Sequence, residues 1–136
     1  MSEEVNGVWQ ELDARGTELL RAVSAAFAFV ACADGSLDPR EVERFAEWAA
    51  AQPGLAGDVD LEAHLRALHR ALALDFAEAE RHIAASLSAV KDDAQKRETV
   101  LAAARIAVVA DGRLEPMEEA ALRRVCEALG VAPDEW

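Results

Sequence analysis

This sequence predicts an all-α fold: a single compact bundle of about seven helices with an internal duplication of a helix–acidic turn–helix unit. Three observations carry that prediction. Of 136 residues, 31 are Ala and 15 are Leu, against 7 Gly, 4 Pro and 2 Ile, so good helix formers dominate and breakers are sparse. Apolar residues recur at helical spacing in about seven stretches. A nine-residue loop occurs twice, each time between an apolar stretch and an amphipathic one. A β-sandwich or barrel would need many turn residues and β-branched runs, which are missing. The length suits one domain, so residues 1–136 read as one unit with its repeat loops at 33–41 and 110–118.

The first segment runs from Glu3 to Arg15, with Val5, Val8, Trp9 and Leu12 at i, i+3, i+4 and i+7. Gly16 breaks it and Thr17 is the N-cap of the second, whose Leu19, Leu20, Val23, Phe27 and Val30 form a stripe that continues to Cys32. Asp34-Gly35 marks a turn. The third segment starts near Pro39, carries Val42, Phe45, Ala46, Trp48 and Ala49, and stops at Gln52-Pro53-Gly54. Asp60 caps the fourth, which holds Leu61, Leu65, Leu68 and Leu72. The fifth spans about Asp75 to Val90, with Phe76, Ala79, Ile83 and Leu87. No Gly or Pro separates it from the fourth. The sixth runs from Asp92 or Asp93 to Ala110 with Val100, Leu101, Ala104, Ile106 and Val108. The seventh follows Pro116, carries Ala121, Leu122, Val125 and Leu129, and ends at Gly130.

Charge narrows the function. With 26 acidic and 14 scattered basic residues, the net charge of −12 argues against phosphate neutralisation, and so against nucleic acid and anionic membrane surfaces. An acidic chain suits cationic partners and hard metal ions. Cys32 and Cys126 lie in apolar stretches without a framework of spacings, as in a reducing cytoplasm. The first sixteen residues show no signal-peptide pattern. The longest near-apolar runs, Ala22–Ala33 and Val100–Ala110, are too short to span a bilayer and read as buried core helices. Cytoplasmic localisation without membrane insertion is the expectation.

The repeat is the informative feature. Ala33-Asp34-Gly35-Ser36-Leu37-Asp38-Pro39-Arg40-Glu41 returns as Ala110-Asp111-Gly112-Arg113-Leu114-Glu115-Pro116-Met117-Glu118, identical at six of nine positions. Identity at that level points to two related hairpins about a pseudo-twofold axis. Helix capping accounts for much of the pattern. Gly35 permits positive φ, Asp38 is a preferred N-cap, Pro39 fits the first helical position, and Glu41 can bond back to the cap amide. Leu37 and Val42 form a hydrophobic staple. In the second copy Glu115 is a weaker cap and the staple partner of Leu114 is Glu119, so capping explains the first loop better.

The same residues also suit an oxygen-ligand metal site. Asp34, Asp38 and Glu41, and likewise Asp111, Glu115 and Glu118, put three carboxylates at i, i+4 and i+7 around a tight turn. Ca²⁺ takes six to eight oxygens, and Mg²⁺ takes six with several waters kept. Each loop matches the latter half of an EF-hand, but Val30 and Cys32 stand where the earlier ligands belong. Two loops meeting in space would supply six carboxylates. Ca²⁺ is the favoured cofactor, with Mg²⁺ or Mn²⁺ as alternatives.

Two such loops in register, each after an apolar helix, followed by the Val125–Glu135 ending with its Ala-Leu-Gly-Val turn, resemble the TerB-like tellurite-resistance family. The N-terminal domain of DjlA-type membrane co-chaperones shares the pattern. The resemblance covers roughly residues 17–135. It implies about seven helices with internal duplication, and divalent-metal binding by Asp34, Asp38, Glu41, Asp111, Glu115 and Glu118. It also implies a role in tellurite and other stress responses, with partner proteins at the inner face of the bacterial membrane. A transmembrane helix and a J-domain are missing here, so the co-chaperone role is not expected.

Other chemistry finds little footing. His64 and His69 are five apart and do not share a helix face, whereas Glu78 and His82 do; exposed surface histidines are the expectation. There is no HExxH or CxxC, no GxSxG and no glycine-rich phosphate loop. The chain is therefore expected not to be an enzyme. Trp9 and Trp48 are expected in the core, and Trp136 at a loosely packed end. Two functions remain: a divalent-cation-binding accessory or signalling protein of a bacterial stress response, or a metal-independent helical interaction module.

Overall fold

The computed structural model describes residues 17–33, 35, 37–52, 55, 60–109 and 115–132. Six α-helices and no strand occur among them: α1 (Glu18–Ala31), α2 (Pro39–Ala51), α3 (Leu61–Leu74), α4 (Phe76–Ser88), α5 (Ala94–Val109) and α6 (Pro116–Leu129). The segment expected over Glu3–Arg15, with Trp9, lies outside the described residues, as does Trp136.

Short polar side chains start most of these helices by accepting from first-turn amides that have no helical partner. Thr17 Oγ1 accepts from Leu20 N–H at 3.0 Å, Asp60 Oδ1 from Ala63 N–H at 3.1 Å, and Asp93 Oδ1 from Gln95 and Lys96 N–H at 3.0 and 3.1 Å. Asp75 explains the junction that lacks Gly and Pro. Its own N–H closes α3 on Ala71 O at 3.1 Å while its carboxylate opens α4 on Glu78 N–H at 3.1 Å. Gly130 ends α6 in the left-handed region, φ 73°, and Val131 N–H returns to Cys126 O at 3.0 Å. That is the Schellman arrangement.

The core is centred on α1, in which every residue from Ala22 to Ala31 is buried. Helices α3, α4, α5 and α6 all pack on it, α5 most extensively. Phe27 stacks on Phe45 of α2 with ring centroids 4.6 Å apart, and Phe29 meets Phe76 of α4 at 5.9 Å. Alanines line the facing helices: Ala22, Ala25 and Ala26 on α1, and Ala103, Ala104 and Ala107 on α5, are all buried. Small side chains let two helix backbones approach closely. Among the described residues, no helix is long and apolar enough to cross a membrane.

Two packing relations reveal the duplication in space. Glu18, the first residue of α1, pairs with Lys96 near the start of α5 at 3.8 Å. The two helices therefore lie side by side and parallel. The arms are exchanged, because α2 packs on α5 and α6 packs on α1. Each repeat thus lays its second helix against the first helix of the other, as a pseudo-twofold axis along α1 and α5 requires.

One histidine departs from expectation. His64 is only 6% exposed, because it shares the face of α3 that buries Leu61, Leu65 and Leu68. His69 and His82 are partly exposed. Trp48 is partly buried against Phe45, with centroids 5.8 Å apart.

Candidate metal centre at the two acidic loops

Because α1 and α5 are parallel, their last residues, Ala31 and Val109, which precede the two acidic stretches in sequence, point to the same end of the central helix pair. In the first loop, Cys32 N–H continues the helical ladder to Ala28 O, and Gly35 N–H turns back to Cys32 O, both at 2.9 Å. Gly35 sits at φ +90°, which a side chain would strain even though space around it is open. Leu37 packs against the core, Val42 is buried, and both line one cavity.

Asp38 is the N-cap of α2: its Oδ1 accepts from Arg40 N–H at 2.9 Å, and the Arg40 Nε lies 3.9 Å from the same oxygen. Glu41, on the first turn of α2, has its Oε2 fully shielded from solvent. At the second loop Glu115 is exposed, and its N–H donates to Glu118 Oε1 at 3.1 Å. This is the return arm of a capping box; Glu115 itself, expected to be the weaker cap, makes no side-chain N-cap hydrogen bond. Glu118 is only 9% exposed. The two glutamates that end the repeated motif therefore behave alike, each directing carboxylate oxygen toward the protein rather than into water. A buried carboxylate needs hydrogen bonds, a helix N-terminus or a cation to offset its desolvation.

Asp34 and Asp111, with residues 110–114, lie outside the described residues. Among the described residues no cluster of three His, Cys, Asp or Glu side chains is poised to hold a metal ion. The donor chemistry of the four described acids, Asp38, Glu41, Glu115 and Glu118, still fits a hard cation, since carboxylate oxygens are the ligands such ions take.

One neighbour of the first loop was not foreseen. His69 Nε2 of α3 lies 3.4 Å from Gly35 O, across 34 residues of sequence. Only the packing of α3 on α2 brings it there, and no local pattern signals it. A cavity of about 560 Å³ opens beside this contact, with Leu37, Val42 and Ala46 on its apolar side and Glu62, Arg66 and His69 on its polar side. Farther away, Glu78 and His82 share a face of α4 as expected, with His82 Nε2 3.1 Å from Glu78 Oε1. Arg81 pairs with the other Glu78 oxygen and holds that carboxyl below its usual range, with His82 adding to the effect.

A family model described as Tellurite resistance protein TerB matches residues 20–136. No curated protein and no solved structure matches the chain.

Proposed function

The chain belongs to the TerB family of tellurite resistance proteins, and from that membership we propose that it is a divalent-cation-binding accessory or signalling protein of a bacterial stress response, acting in the cytoplasm. Asp34, Asp38, Glu41, Asp111, Glu115 and Glu118 would hold the cation, Ca²⁺ in preference to Mg²⁺ or Mn²⁺. The observation that carries the reading is the parallel pairing of α1 and α5, since the two acidic stretches follow these helices in sequence. Carboxylates brought together would repel, and a bound cation would supply the opposing charge. Other stress-response proteins, including a membrane-associated complex approached from its periphery, are the partners this reading implies.

A thermal melt in excess chelator, then with millimolar Ca²⁺, Mg²⁺ or Mn²⁺, tests it. A cation bound only by the folded state at 100 times its Kd adds about 2.7 kcal/mol, which raises the midpoint by several degrees. The double variant Asp34→Asn/Asp111→Asn should lose that rise and keep the cap at Asp38. An unchanged midpoint with every cation would favour the second reading, a metal-independent interaction module. The cavity beside Leu37 and Val42 is the feature that favours it.

A further inference from the structure

Among the described residues, half of the lysines and arginines face a carboxylate. Arg66 pairs with Glu62, Lys96 with Glu18 and Arg123 with Glu119, while Arg81 and Arg124 pair with Glu78 and Glu80. Arg44 and Arg105 make no ion pair and no hydrogen bond among the described residues, although the chain carries nearly two acids for every base. They come from different repeats and flank the same depression. It lies between α2 and α5, measures about 280 Å³, and is lined by Arg44, Trp48, Ala102, Arg105 and Ile106. Trp48 and Ile106 are partly buried, and packing on Phe45 holds the indole in place.

We propose that this depression docks an acidic peptide segment of a partner protein, with an apolar side chain seated on Trp48 and Ile106 and carboxylates on Arg44 and Arg105. Its volume falls below the roughly 300–1,000 Å³ of small-molecule sites and suits a single anchoring side chain. Trp and Arg are the residue types that most often carry interface energy. Guanidinium is weakly hydrated and its fork matches a carboxylate, so an unpaired Arg beside an apolar floor loses little water on binding one. Complementarity singles out the acidic partner, since both charged side chains that line the depression are arginines and a basic segment seated there would meet like charge. A second copy would set −12 against −12. A short acidic segment near physiological ionic strength, where screening acts over about 8 Å, responds to the local pair rather than to the net charge.

The depression shares no lining residue with the six proposed cation ligands, so the test is run in chelator, where failure of the metal reading leaves it untouched. Two fluorescein-labelled amphipathic peptides are titrated with the full chain by anisotropy. One has Leu and Phe on one face and Glu on the other; its counterpart has Lys for every Glu. The Glu peptide should bind, and the Lys peptide should bind at least tenfold more weakly. Arg44→Gln/Arg105→Gln should raise Kd for the Glu peptide about tenfold with an unchanged melting midpoint, while Arg44→Lys/Arg105→Lys recovers most of the loss. No binding of the Glu peptide, equal binding of the Lys peptide, or a Kd indifferent to the glutamine pair would each overturn the proposal. So would a dimer seen by sedimentation that the glutamine pair dissolves.

Discussion

Asp75 does the work of two capping residues, closing α3 with its amide and opening α4 with its carboxylate. Asp75→Ala keeps the amide and loses the carboxylate, so it should cost about 1 kcal/mol, read as a lower urea midpoint with an unchanged slope. Gly130 is the other single position where local geometry dictates the residue. Gly130→Ala should destabilise by about 1 kcal/mol at φ 73°, and equilibrium unfolding would show it. Glu78 is the group with a defined titration. Arg81 and then His82 favour its charged form, so its folded pKa lies below its unfolded one. The resulting stability is present above the unfolded value and is lost as pH falls through the folded value. A side-chain carboxyl chemical-shift titration should place its midpoint below the usual glutamate range, and Glu78→Gln should flatten the acid limb of stability against pH.

Among the helices, α1 governs the packing. Phe27 is fully buried and stacked on Phe45, so Phe27→Ala removes both transfer free energy and a ring contact. The expected cost is about 3–5 kcal/mol, enough in a domain this size to lose the cooperative melt. The alanine-lined packing of α1 on α5 fails in the opposite way. Ala104 has no exposure, and Ala104→Leu should overpack by about 1–3 kcal/mol while Ala104→Gly costs less by cavity and more by backbone freedom. Helix boundaries were largely legible in the sequence because caps act over three or four residues: Thr17, Asp38, Asp60, Asp75, Asp93 and Gly130 all stand where their chemistry puts them. His64 was not, because an exposed His and a buried one look alike until the face that α3 turns inward is known.

The exchanged arms tie the two repeats into one cooperative body. A cut between the repeats would strip α5 of α2 and α1 of α6, so neither half should fold alone. Circular dichroism of the separated halves, residues 17–92 and 93–136, should show little cooperative unfolding, and mixing them should restore it.

Composition, periodicity and the doubled acidic loop were enough to establish an all-α chain, its helix starts and its family, because helix propensity, capping and repeat identity are properties of neighbouring residues. The parallel pairing of α1 and α5 and the exchange of their partner helices came from tertiary packing. So did the approach of His69 to Gly35 and the pairing of Arg44 with Arg105 around one depression. Each of these joins groups dozens of residues apart, and which of them meet is settled by how the apolar faces share one core, a global balance that no local window contains.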